Sequence, residues 1–149
     1  MRRFSGSMIV LILVWGLSAA VAGQKRFTAE DLDKLMKRDG PTQAALVKAF
    51  TSNNQAAAKT AVGQLKSALK ESQAFWVENK RPDAIKFGQN VLAKLDDLDK
   101  IVNAPQMNSA TGLNAVRDMA TACNECHKVY RTTDENGQFM LKPGSIPGL

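Results

Sequence analysis

One histidine and two cysteines are all that the 149 residues hold of either type, and that scarcity closes off several kinds of site. A structural zinc centre takes four such ligands, whereas Cys123, Cys126 and His127 supply only three. A redox pair of thioredoxin type expects its two thiols where a strand enters a helix, and no strand is visible before Cys123. Runs of β-branched residues are absent, which disfavours a sheet. Concentrated positive charge is missing too. The formal net charge is +6, but Lys25-Arg26, Lys37-Arg38 and Lys80-Arg81 are isolated doublets with little aromatic interleaving. They describe a solvated surface, and no nucleic-acid partner is expected. Internal repeats and low-complexity tracts are lacking as well.

The N-terminus is an address. Arg2 and Arg3 precede an apolar run, Met8 to Val14, extended through Trp15-Gly16-Leu17, and Ala20-Val21-Ala22 offers the small residues that a signal peptidase reads. The run is short for the roughly 20 residues that span a bilayer. Residues 1–22 are therefore expected to be a cleaved signal peptide, with Gly23 starting a periplasmic chain and no stable membrane insertion. No cysteine follows the apolar run, so lipid attachment there is not expected. Loss of Arg2 and Arg3 lowers the net charge from +6 to +4.

Residues 23–131 read as one all-α domain. Thr28-Ala29-Glu30-Asp31 is a capped helix start with acids in the first turn. Leu32, Leu35 and Met36 then share a face that Val47 and Phe50 resume beyond Gly40-Pro41, a dipeptide expected to kink or split the helix. After Ser52-Asn53-Asn54 a second stripe runs Ala58, Ala61 or Val62, Leu65, Leu69, Ser72, Trp76. Pro82 suits the first turn of a third helix, with Ile85, Gly88, Val91 or Leu92, Leu95, Leu98 and Val102 inward. A fourth is expected from about Ser109 to Arg131, presenting Leu113, Val116, Ala120, Cys123, His127 and Tyr130. Four amphipathic helices of similar length with short connections predict an antiparallel four-helix bundle. Residues 132–149 hold Gly137, Pro143, Gly144, Pro147 and Gly148 without periodicity and predict an irregular tail.

The chemistry concentrates in Cys123-Asn124-Glu125-Cys126-His127. In a Cys-x-x-Cys-His sequence the thiols form thioethers with the two vinyl groups of a haem, and two intervening residues let one helical turn span the porphyrin edge. The adjacent imidazole then meets the iron as proximal ligand. One covalent haem c is expected, its two propionates bringing the net charge to about +2. Bis-histidine ligation is impossible with one histidine, which leaves a Met thioether as the natural sixth ligand. Of Met36, Met107, Met119 and Met140, Met119 shares the proximal helix, Met107 precedes it and Met140 sits in the tail. Met36 stands beside Leu32 and Leu35 on an apolar face, where core packing would explain it equally well. Phe75, Trp76, Phe87 and Tyr130 are candidates for packing against the porphyrin or simply within the core.

With the motif in the last helix of four, the chain resembles the class II cytochromes c, the cytochrome c-prime group. The resemblance covers about Phe27 to Arg131 and has two specific places. One is Cys-x-x-Cys-His-x-x-x-Arg, ending at Arg131; the other is Lys34-Leu35-Met36-Lys37, which is similar to the first helix of the low-spin cytochrome c-556 type. It implies that Met36 is the sixth iron ligand and that Arg131 approaches the proximal pocket or a propionate. The tail after Arg131 and the Gly40-Pro41 dipeptide depart from the family pattern. The function then expected is one-electron transport between redox partner proteins of the periplasm, by a monomer or homodimer. The alternative is a five-coordinate, c-prime-like binder of NO or CO. No acid–base or nucleophilic constellation accompanies Glu125, so no enzymatic activity is expected.

Overall fold

The computed structural model describes residues 27–148; the predicted signal peptide lies outside them. Helix α1, Ala29–Thr51, starts where the sequence says it should. Thr28 accepts from the Asp31 amide at 3.1 Å while the Asp31 carboxylate accepts from the Thr28 amide at 3.0 Å, closing a capping box. Helix α2, Gln55–Glu78, is capped by Asn54, α3, Pro82–Asn103, opens on its proline, and α4, Ser109–Tyr130, is capped by Asn108.

Gly40-Pro41 does not split α1. Proline removes the bond its amide would have made to the Lys37 carbonyl, but both residues are solvent-exposed, and the Thr42 hydroxyl satisfies the Arg38 carbonyl at 2.9 Å. Leu35 and Leu46, buried on either side, hold the helix to one face of the bundle. Packing overrides the local penalty.

Neighbours round the bundle are α1·α2, α2·α3, α3·α4 and α4·α1, so α2 lies diagonally across from α4, and contact is sparsest along the α1–α4 seam. The apolar interior divides in two. One cluster, around Phe50, Val62, Leu95, Leu98 and Met119, fills the end where α1 meets α2. The other gathers Leu32, Phe75, Trp76, Ala84, Tyr130 and Ile146, with Trp76 against Phe75 at 5.0 Å and against Tyr130 at 4.7 Å. On α4 the line facing the core is Gly112, Val116, Met119, Ala122 and Tyr130, while Leu113, Ala120, Cys123 and His127 flank it half-buried.

Helix α4 ends at Tyr130, one residue earlier than expected, and the tail is not irregular. Strands β1, Arg131–Thr133, and β2, Phe139–Leu141, pair antiparallel with Arg131 opposite Leu141. The Asp134 carboxylate accepts from the amides of Asn136 and Gln138, and Gly137 takes the positive φ of 75° that the turn requires. Strand β2 also touches α1, so the hairpin straps the end of the α1–α4 seam. Beyond it Ile146 is buried, the Lys142 amide donates to the Tyr130 carbonyl at 2.7 Å, and Arg81 donates to the Ser145 carbonyl. The same Arg81 lies 4.9 Å over the Tyr130 ring and pairs with Asp83 at 3.0 Å, and Tyr130 in turn donates to Asp83.

Arg81 is thus the clamp that holds residues 142–148 down. Arg81→Ala is expected to release them without melting the bundle. Removing that charge-assisted hydrogen bond should open the segment roughly tenfold more often. Limited proteolysis after Leu141 should speed up by that factor, and unchanged cleavage would refute the clamp.

Candidate functional site

Contacts far from the motif fix which residues face it. The Phe50 ring fills the space where a side chain at Gly112 would begin, 2.1 Å from that ideal Cβ position, and Ser109 bonds Asn53 at 3.0 Å. These set the antiparallel register of α1 on α4. Equal rise along both helices then brings Asp39 level with Cys123, three turns from Phe50 and Gly112, and Met36 level with Cys126, about one turn further on. The other two helices reach the same height. The Gln73 amide of α2 lies against Gly88 of α3, and the Tyr130–Asp83 bond sits about one turn from both Gly88 and Cys126.

The motif therefore sits where the two apolar clusters part. Cys123 packs against the first cluster, whereas Cys126 and the half-buried Met36 both pack against the second. Between them lies a polar layer: Asp39 on α1, the buried Ser72 and Gln73 on α2, the bare backbone of Gly88 on α3, and the motif on α4. Two buried nitrogens in it, Gln73 Nε2 and His127 Nδ1, have no hydrogen-bond partner among the described residues. A buried polar nitrogen left without a partner is costly.

The electrostatics follow from burial. Both thiols are free, and each is pushed up to about 11: Cys123 by desolvation and then by the Asp39 charge, Cys126 by desolvation and then by Cys123. Neither is a thiolate at neutral pH. The thiols lie near the C-terminal end of α4, away from the helix N-terminus that lowers a catalytic thiol's pKa. His127 is depressed to about 4 by desolvation first and the Arg131 charge second, which keeps the ring neutral and its lone pair available to a metal. No group of three or more Cys, His, Asp and Glu among the described residues gathers to hold a metal by side chains alone. A metal carried in a macrocycle brings its own in-plane ligands and asks only for axial ones.

On its outer side His127 borders an open groove of about 410 Å³ with Asn124, Lys128, Arg131, Thr132, Thr133 and Phe139. Arg131 belongs to β1, not α4, and its guanidinium stacks 4.1 Å over Phe139. It stands on the His127 side of the motif, held by the hairpin. Of the other methionines, Met119 is buried in the far cluster with Met107 against it, and Met140 is exposed on β2.

Asp39 was not apparent from sequence. The signal was there, as a polar residue three positions after Met36 on an apolar stripe, but the register was needed to aim it. It makes no hydrogen bond or ion pair among the described residues, and desolvation raises it from 3.8 to about 6, partly offset by Arg38. A carboxyl that binds its proton more tightly when folded stabilises the fold below about pH 4, and that contribution is lost as the pH rises through 6. Asp39→Asn should therefore raise stability at pH 7 by about 1–2 kcal/mol, and the gain should vanish below pH 4. Denaturant unfolding at both pH values checks this, and an equal effect at each would refute it.

The chain matches no protein-family model, no curated protein and no solved structure.

Proposed function

We propose that this chain is an exported c-type cytochrome that carries one electron on a single haem, attached at Cys123 and Cys126. His127 and Met36 are its axial ligands. The observation that carries the proposal is the placement of Cys123, Cys126 and His127 level with Met36 across the sparsest seam of the bundle. The residues fit the group. The core parts at that level, and two buried nitrogens there, Gln73 Nε2 and His127 Nδ1, have no partner among the described residues.

When bound, a haem supplies an iron that alternates between Fe(III) and Fe(II). The chain does the rest. Cys123 and Cys126, one turn apart, fix the cofactor against loss. Neutral His127 offers its lone pair without first shedding a proton. The Met36 thioether, when it fills the sixth position, holds the coordination number constant between oxidation states and favours the reduced one. The aromatic cluster of Phe75, Trp76 and Tyr130 keeps water from one side of the site, and the hairpin straps its end. Redox partner proteins of the periplasm are the partners this chemistry serves.

The test is an optical spectrum of the protein produced with a haem-attachment system. Covalent haem with sharp low-spin bands and a weak sulfur-to-iron band in the red is expected. Lack of covalent haem would overturn the proposal outright. A broad high-spin spectrum would replace the carrier with a binder of NO or CO.

A further inference from the structure

Gln73 remains unexplained by attachment or ligation. Its Nε2 is buried without a partner among the described residues, at the height of the motif, on the helix diagonally across from α4. It is also crowded against α3. A Cβ at Gly88 would lie 2.0 Å from Nε2 and 3.1 Å from Cδ, so the amide occupies space that exists only because residue 88 is glycine. An amide driven into a glycine niche and left without an acceptor is costly on both counts, unless an acceptor is brought to it.

Resting on the haem reading above, we infer that Gln73 is a cofactor-binding residue whose Nε2 donates a hydrogen bond to a haem propionate, with Gly88 providing its niche. Haem chemistry selects the acceptor. The vinyl groups and the propionates occupy opposite edges of the porphyrin, so a haem tethered through its vinyls to Cys123 and Cys126 on α4 directs its carboxylates away from α4. Helix α2 is the element on the far side. The Gln73 amide is a neutral donor whose hydrogen bond to an ionised acceptor is stronger than one between neutral groups.

The experiment is resonance Raman spectroscopy of the haem-loaded protein, reading the propionate bending mode, which falls in frequency when the carboxylate loses a hydrogen bond. Gln73→Leu should lower that mode while leaving the iron spin-state markers unchanged. Gly88→Ala should do the same with Gln73 intact, because the new methyl displaces the flexible end of the Gln73 side chain. It also keeps the test alive if Gln73→Leu fails to fold. A mode unmoved in every variant that folds overturns the inference. So does a change confined to the iron–ligand vibrations, which would assign the donor to the distal ligand. Failure of the haem proposal is distinguishable: the unmutated protein would then carry no covalent haem and give no such mode.

Discussion

Cys123→Ala combined with Cys126→Ala is expected to abolish covalent haem altogether, read as complete loss of the haem stain after denaturing electrophoresis. The thiols are the chain's only two, so nothing else can form the thioethers. The effect should reach the fold. Cys123 and Cys126 pack against different apolar clusters, and the layer between those clusters holds Asp39, Ser72 and Gln73 in place of large apolar side chains. On the proposed function, a haem bound there would complete the core, and its loss would leave polar atoms facing a void, at roughly 24 cal/mol per Å³ of residual cavity. For a cofactor-sized void this amounts to several kcal/mol, a large share of a small domain's stability. Thermal unfolding monitored at 222 nm should accordingly become broad and shift to much lower temperature. A double variant that still stained for haem after denaturation would overturn the attachment assignment. A variant lacking the stain but unfolding like the parent would show that the clusters support the bundle without a cofactor.

Most of the bundle could be read from local chemistry. Thr28 with Asp31 marks the start of α1 because a capping box is completed within four residues, and Pro82 opens α3 because the first turn has no use for its missing amide. Pro41 misleads for the converse reason. The rule that proline breaks a helix counts one lost hydrogen bond, while the burial of Leu35 and Leu46 on either side acts over the whole length of α1. The hairpin escaped because strands of three residues show no periodicity; the turn signal Asn136-Gly137 was its only trace. The site divides along the same line. Cys123, Cys126 and His127 fall within five residues, so the sequence alone brings them together. Asp39, Gln73 and Gly88 become neighbours of the motif only through the register that Phe50 on Gly112 and Gln73 on Gly88 impose, a tertiary fact. Arg131 lies in between. Its position four residues after His127 put it near the ring, but the strand it opens decides that it stacks on Phe139.

Met36→Ala should convert the haem iron from low to high spin, the largest spectroscopic change that a single substitution in this chain can produce. Met36 stands level with Cys126 across the α1–α4 seam and packs against the same cluster, while the only histidine is held in the motif on α4. Alanine cannot bridge that seam to the iron, so the sixth position opens. Three readouts should move together. The red sulfur-to-iron band disappears, the reduction potential falls because the ligand favouring Fe(II) is gone, and affinity for CO and NO rises because no thioether competes for the site. Met107→Ala and Met140→Ala serve as controls and should leave the spectrum unchanged, since Met107 packs against the far cluster and Met140 is exposed on β2. A low-spin ferric spectrum retained in Met36→Ala but lost in Met140→Ala would transfer the ligand to the hairpin. Because β2 touches α1 and straps the end of that seam, the hairpin carries the competing thioether at that end, which makes the Met140 control the decisive comparison.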